Sequence, residues 1–438
     1  MHPPVAPSEV VVKRLGGAQF ASPLQRFHPA TTADFDAREQ RILLNIITGD
    51  NNRFAEPVAF ECAGPHQKLY FDPSRVTAAI VSCGGLCPGV NNVIRALTYT
   101  LLRRYKAKLV LGARYGYEGL NPAFGHELVE LDIPKVGVIH TRGGTFLGSS
   151  RGQQPVEVMV DQLQANGIDM LFTIGGDGTL RGAHAIQNEI TRRGLNIAVV
   201  GIPKTIDNDI GFIDKSFGTE TAFSTAQQIL ANAHNEAYDC FNGIALVKLM
   251  GRDSGFIAAN AALASPDVNY VLIPEMHFAL EGENGLLNTL QRRLAGHGHA
   301  LIVVAEGAGQ NLFSDAPRQR DASGNVLHHD IGPRLKSELT THLRNAGIRH
   351  TIKYIDPSYI IRSAPANAND SKFCNQLAQN AVHAAMAGRT DCVIGFLHNH
   401  FTVMPIPLAV RERMKVNLQS NLWFDVLEAT GQPAQMYD

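Results

Sequence analysis

The sequence predicts an α/β protein of two doubly wound lobes with mainly parallel sheets. Short, largely apolar runs at residues 76–81, 168–174 and 197–202 recur between turn signals, as expected of strands buried on both faces of a parallel sheet. Helical stretches alternate with these runs, and that order implies βαβ units with right-handed crossovers. At 438 residues the chain has room for two domains with substantial cores.

Residues 1–65 mix Pro, Ala and charged residues around one helical-looking run at 34–47, and read as an N-terminal extension. The strand at 76–81 is followed by a turn at 84–89, a helix over about 91–104 and a strand at 108–111. The alanine-rich helix at 219–237 follows a glycine and starts the second lobe. Strands at 243–248, 268–273 and 300–305 form a second sheet, covered by helices at 254–264 and 285–295. Residues 307–332, rich in Gly, Asp, Ser and Asn, read as a long surface loop.

Lys plus Arg (39) nearly cancel Asp plus Glu (40), leaving a formal charge of −1 and no broad basic surface for nucleic acid or anionic membrane. Anion binding must then be local. No apolar stretch approaches the roughly 20 residues that span a bilayer, and the start Met1-His2-Pro3-Pro4-Val5-Ala6 lacks a signal-peptide core, so a cytoplasmic location is expected. Six cysteines over this length make neither a disulfide framework nor paired metal knuckles. Cys83 and Cys87 have no second pair or nearby His to complete a metal site and are read as packing residues.

Two motifs follow the apolar runs at 168–174 and 197–202. Gly175-Gly176-Asp177-Gly178-Thr179 lets backbone N–H groups approach an anion, and Pro203-Lys204-Thr205-Ile206-Asp207-Asn208-Asp209 supplies a carboxylate cluster. Carboxylates can hold Mg²⁺ and take a proton from an attacking hydroxyl, which together with a phosphate cradle are the parts of a phosphoryl-transfer site. Both lie at carboxyl ends of strands, where open α/β sheets bind ligands. Alone, Asp207 and Asn208 also suit an Asx turn, and Asp177 a turn aspartate. A Walker A motif is absent.

GGDGT alone also suits NAD kinases and diacylglycerol kinases, but PKTIDND resembles the substrate and base loop of 6-phosphofructokinases. Further matches occur in that family's order between about residues 65 and 410: Cys83-Gly84-Gly85-Leu86-Cys87-Pro88-Gly89-Val90-Asn91, Gly143-Gly144-Thr145-Phe146-Leu147-Gly148-Ser149-Ser150-Arg151, Met250-Gly251-Arg252, Ala305-Glu306-Gly307 and Tyr359-Ile360-Ile361-Arg362. The stretches 248–256 and 353–359 look like the plant and trypanosomatid ATP-using branch. The resemblance implies two Rossmann-like lobes: a nucleotide-binding lobe of 66–218 plus 361–410 and a sugar-phosphate lobe of 219–360 plus 411–438.

The resemblance also implies roles. Asp207 is the base for the 1-hydroxyl of fructose 6-phosphate, with Thr205 and Arg252 as catalytic partners. Asp177 holds Mg²⁺, while Gly85, Arg151, Gly152, Gly176, Gly178 and Thr179 bind ATP; Gly152 stands where the family often has an aromatic. The sugar phosphate falls to Thr205, Ile206, Asp207, Met250, Gly251, Arg252, Glu306, Lys353, Tyr359, Ile360, Ile361 and Arg362. Lys353 and Arg362 would supply cations and Glu306 a hydrogen-bond acceptor.

Gly243, Lys353 and Tyr359 stand where bacterial regulatory members carry Arg, Arg and His, so the resemblance does not by itself imply their cross-subunit substrate contact or effector control. Pyrophosphate users usually have Asp at the position of Gly178 and Lys at that of Lys204; here the glycine leaves room for the α-phosphate of ATP. The expected activity is ATP-dependent 6-phosphofructokinase in a homo-oligomer, dimer or tetramer. Alternatives are a pyrophosphate-dependent enzyme and a catalytically silent sensor of sugar phosphate or nucleotide on the same fold.

Overall fold

The computed structural model describes residues 5–27, 40–46, 57–313 and 327–438. In chain order its strands begin β1 (Lys13–Arg14), β2 (Phe20–Ala21), β3 (Arg41–Leu43), β4 (Ala59–Cys62), β5 (Lys68–Leu69) and β6 (Thr77–Ser82). They continue with β7 (Leu109–Ala113), β8 (Val129–Glu130), β9 (Met170–Gly175), β10 (Ala198–Pro203), β11 (Gly243–Leu249) and β12 (Tyr270–Leu272). The last are β13 (His299–Ala305), β14 (Thr351–Ile355), β15 (Arg389–Thr390), β16 (Cys392–Leu397) and β17 (His400–Pro405). The α-helices begin α1 (Val90–Tyr99), α2 (Ile133–Val136), α3 (Val156–Ala165), α4 (Asp177–Arg192), α5 (Thr219–Tyr238) and α6 (Phe256–Leu263). They end α7 (Leu286–His297), α8 (Ile331–Asn345), α9 (Ser358–Arg362), α10 (Ala368–Met386), α11 (Ile406–Ala409) and α12 (Asn421–Thr430). No described helix is long and apolar enough to cross a membrane.

The chain divides into two compact units. The first comprises Met1–Thr205, Ile210–Gly218 and Ala364–Arg413; the second comprises Ile206–Asp209, Thr219–Ser363 and Met414–Asp438. Among the described residues the first holds a nine-stranded sheet in the order β3-β4-β17-β16-β10-β9-β6-β7-β8. The interior run β16-β10-β9-β6-β7 is parallel, and β8, β17, β4 and β3 pair antiparallel at its flanks. Every residue of β6, β9 and β10 is buried, so these strands lack the alternation of a one-faced sheet and require helices on both faces. Ser82 pairs in register with Ile174, and Gly175 with Pro203, so β6, β9 and β10 end nearly level. The loops that leave them therefore emerge at one carboxyl edge.

Among the described residues the second unit holds a four-stranded, wholly parallel sheet in the order β12-β13-β11-β14. The helix α5 packs on it through Ala222, Ala226, Leu230, Ala233 and Ala237, a three-or-four-residue spacing that makes one apolar stripe. Leu249 pairs with Ala305, and Val247 with Ile355. The loops after β11, β13 and β14 consequently leave the same edge.

The structure differs from the sequence reading in three places. The helical expectation for 34–47 falls partly outside the described residues, and its described part contains β3, paired antiparallel with β4. A run as short as Arg41-Ile42-Leu43-Leu44 suits either periodicity, and pairing with β4 decides it. The helix after the first turn is α-helical to Tyr99 and then widens into a π-type turn over Thr100–Tyr105. Of the expected loop at 307–332, residues 314–326 lie outside the described set; Gln310–Phe313 forms a 3₁₀ turn, and α8 starts at Ile331, capped by Asp330.

Candidate active site

In the first unit, β9 runs into α4 with Gly176 as N-cap and Asp177 as the first helical residue. The open N–H groups and positive dipole end of a sixteen-residue helix thus lie at the GGDGT turn, a ready anion site. A Cβ at Gly175 would come within 2.2 Å of the Thr179 side chain, so close packing within the turn requires glycine there. At Gly178 an added Cβ would meet nothing within 4 Å. The turn therefore leaves open space on that side.

Asp177 lies under two arginines. Arg181 Nε comes within 3.2 Å of Oδ1 without hydrogen-bond alignment, and Arg413 Nη2 lies 3.9 Å from Oδ2. The buried Oδ1 makes no hydrogen bond. An orphaned carboxylate oxygen at a helix N-terminus fits Mg²⁺, which takes one or two protein carboxylates and completes its shell with water and phosphate oxygens. Arg181 was legible in principle from its i,i+4 spacing to Asp177; Arg413, remote in sequence, was not.

The loops after β6 and β10 are tied together by Lys204, which is buried and donates from Nζ to the Gly85 carbonyl at 2.5 Å. Ser149 Oγ donates to Gly84 O at 2.5 Å, and Gly84 N donates to Ser150 O at 3.0 Å, bringing in the loop that carries Arg151. An added Cβ at Gly85 would face Arg151 Nη2 at 3.5 Å, whereas Gly152, at φ 115°, is open. Asn91, outside the expected site, organises this loop by accepting from Phe146 N at 2.7 Å and donating to Arg142 O at 3.1 Å. Desolvation pushes the buried Cys83 thiol up to about 12, which suits packing rather than nucleophilic use.

The second unit carries the other constellation. Asp207 is half-buried; its Oδ2 accepts from Arg252 N at 3.2 Å, while its Oδ1 is buried without a partner. The Ser254 hydroxyl fixes its backbone by donating to Asp207 O at 3.0 Å. Burial, then the charges of Asp209 and Glu306, push the Asp207 carboxyl up to about 7, against the Arg252 hydrogen bond and the Arg362 guanidinium, which lower it. Arg362 Nη2 lies 3.6 Å from Glu306 Oε2. A buried carboxyl that titrates near neutrality and has a spare oxygen can exchange a proton with a hydroxyl brought to it.

The glycines of this edge are sterically required. Gly251 has φ 125°, and a Cβ on Gly307 would sit 1.8 Å from Arg252 O. Arg252, Glu306 and Arg362 reach one edge because β11, β13 and β14 end there in register. Other expected contacts are placed differently: the Met250 and Ile361 side chains are in the core at 0% exposure, while Tyr359 and Ile360 are 83% and 67% exposed. Lys353, on the edge strand β14, pairs with Glu236 at 3.7 Å. Ile206 packs partly buried against the second unit's core, and Thr205, the last residue of the first unit, accepts through its carbonyl from Ser216 Oγ at 2.6 Å.

Comparison with known proteins gives a consistent picture. The family described as Phosphofructokinase matches residues 77–385. The chain is 48% identical over 435 residues to an ATP-dependent 6-phosphofructokinase of Borreliella burgdorferi, covering 97% of each. It is 42% identical over 434 residues to an ATP-dependent 6-phosphofructokinase of Trypanosoma brucei brucei, covering 97% of this chain and 88% of the relative. It is 47% identical over 379 residues to ATP-dependent 6-phosphofructokinase 7 of Arabidopsis thaliana, covering 86% of this chain and 78% of the relative. Among solved structures, a pyrophosphate-dependent phosphofructokinase from Marinobacter aquaeolei aligns with TM-score 0.67 at 20% identity, covering 83% of this chain and 92% of that one. That likeness establishes a shared fold and leaves the donor open.

Proposed function

The chain belongs to the phosphofructokinase family, and from that premise we propose that it transfers the γ-phosphoryl group of Mg-ATP to the 1-hydroxyl of fructose 6-phosphate, giving fructose 1,6-bisphosphate and ADP. The observation that carries this reading is Asp207, a carboxyl that desolvation and neighbouring charge raise to about 7, with one oxygen held by Arg252 N and the other buried and unused. A catalytically silent sensor has no need of such a group.

Asp207 Oδ1 accepts the proton of the attacking hydroxyl, and Oδ2 stays anchored on Arg252 N, so the base does not swing as it is protonated. Its raised pKa makes it a stronger proton acceptor than an exposed aspartate. Glu306 accepts hydrogen bonds from sugar hydroxyls, and Arg362, beside it, binds the 6-phosphate. In the other unit the N–H groups at the start of α4 and the Arg151 guanidinium hold the donor phosphates. Asp177 is the residue that would hold Mg²⁺ brought in with the donor, and the ion would there offset charge on the phosphate oxygens. Thr205 and Ile206 join the two units covalently directly before Asp207.

Arg362→Ala is expected to raise KM for fructose 6-phosphate tenfold or more, about 1.5–3 kcal/mol, through loss of charge-assisted hydrogen bonds to a dianion. Steady-state kinetics checks this, and an unchanged KM removes Arg362 from the site.

The donor assignment rests on the open space at Gly178. Gly178→Asp puts a carboxylate where the α-phosphate of ATP would pass, so kcat/KM for ATP should fall more than that for pyrophosphate. Assays of both donors with fructose 6-phosphate, in wild type and variant, test the function and the gate together. Wild-type preference for pyrophosphate refutes the ATP assignment, and equal losses for both donors refute the gate. The family resemblance further supports a cytoplasmic homo-oligomer, dimer or tetramer, as part of this proposal.

A further inference from the structure

Lys248 lies two residues before Met250-Gly251-Arg252, near the end of β11, with only 11% of its side chain exposed. Its ammonium bridges two carboxylates, Asp330 Oδ1 at 2.9 Å and Asp356 Oδ2 at 2.9 Å. Burial opposes the charge on Lys248, yet its hydrogen bonds to Asp330 and Asp356 outweigh that and hold its pKa above the usual lysine value. The two carboxylates have separate second tasks. Asp330 caps α8 by accepting from Gly332 N at 3.2 Å. The other oxygen of Asp356 accepts from Ser358 N at 3.1 Å and Ser358 Oγ at 2.5 Å, at the first residue of α9, the helix that ends in Arg362.

We propose that Lys248 is a positioning residue for the sugar-phosphate site: through Asp356 it locks the start of α9 to β11 and so sets where the Arg362 guanidinium stands relative to Glu306 and Asp207. The covalent geometry supports this. Only five residues form α9, so a displacement at its cap is carried to Arg362 with little intervening structure to absorb it. The strand on which Lys248 sits also delivers Arg252, whose N–H anchors Asp207. One ammonium thus couples the phosphate-binding arm to the base. A lysine buried merely to offset charge would need neither a partner that accepts from the first residue of α9 nor a place on this strand.

The inference rests on the reading of Arg362 as the phosphate ligand, so Arg362→Ala is measured alongside. Lys248→Met keeps most of the unbranched side chain and removes its charge. Asp356→Asn keeps an oxygen to cap Ser358 and weakens the ion pair. Asp330→Asn perturbs the same ammonium from the side that caps α8. Lys248→Met and Asp356→Asn should each raise KM for fructose 6-phosphate about fivefold or more through misplacement of a binding group, with KM for ATP within twofold. Their effects should fall short of additive in the double variant, because both break one contact. Asp330→Asn should move KM for fructose 6-phosphate far less. If Lys248→Met does not fold, the contrast between Asp356→Asn and Asp330→Asn decides. Equal KM shifts in those two variants, or unchanged KM with a lowered Tm, overturn the inference and leave Lys248 a purely structural ion pair. An unaltered KM in Arg362→Ala overturns the underlying site reading, whereas a raised KM there with none in Lys248→Met or Asp356→Asn overturns this inference alone.

Discussion

Asp207→Asn is expected to lower kcat by roughly 10²–10⁴-fold while KM for fructose 6-phosphate stays within about threefold, because the amide keeps the size of the side chain and its acceptor for Arg252 N but cannot take a proton. The pH profile sharpens the test. A base must be deprotonated, and burial with the Asp209 and Glu306 charges raises this carboxyl to about 7, so wild-type kcat should fall as pH drops through that region. The acid limb should vanish in the variant.

Stability should move in the opposite direction. A carboxyl with a raised folded-state pKa binds its proton more tightly in the native than in the unfolded chain. Its ionisation therefore destabilises the fold above the folded pKa and has no effect below the unfolded one. Asp207→Asn should consequently raise Tm by on the order of a few degrees at pH 8, and by less near pH 4. A variant with near-normal kcat, or an unchanged acid limb, refutes Asp207 as the base.

The second large effect is expected from Asp177→Ala. Removing the carboxylate whose Oδ1 is buried without a hydrogen bond should abolish most turnover, on the order of 10²-fold or more, with partial recovery in excess Mg²⁺. The deletion also removes a negative charge from beside Arg181 and Arg413, so the loop becomes more cationic. ATP without Mg²⁺ should then bind no worse than to wild type, while the Mg²⁺-dependent gain in ATP affinity should shrink. Titration calorimetry with and without Mg²⁺ separates these effects. Wild-type activity at low Mg²⁺ would make Asp177 a turn residue only.

The sequence revealed the chemistry more readily than its support. GGDGT and PKTIDND were legible because each follows an apolar run, and the register of β6, β9 and β10 brings the ends of those strands level. Long uninterrupted patterns such as the α5 stripe were likewise plain. The short run that forms β3 was not, since its conformation is set by a partner strand rather than by its own period. The network of Lys248, Asp330 and Asp356 escaped for a related reason. Charged residues far apart in sequence carry no local mark of burial, and only the packing of β11, β14 and α8 brings them together. The family resemblance named Met250 and Ile361 among the substrate contacts; their side chains are in the core, so any such contact falls to their backbone. It also named Lys353, which β14 carries to Glu236. Steric requirements at Gly251 and Gly307 were invisible until the carbonyls crowding them were located.

The most direct measurement is ³¹P NMR of the product formed from fructose 6-phosphate, ATP and Mg²⁺, with pyrophosphate as the parallel donor. The account predicts ADP and fructose 1,6-bisphosphate appearing together in equal amounts, faster with ATP than with pyrophosphate, and loss of both signals in Asp207→Asn. Phosphate released to water without a second sugar phosphate, product formed only from pyrophosphate, or undiminished product in Asp207→Asn would contradict it.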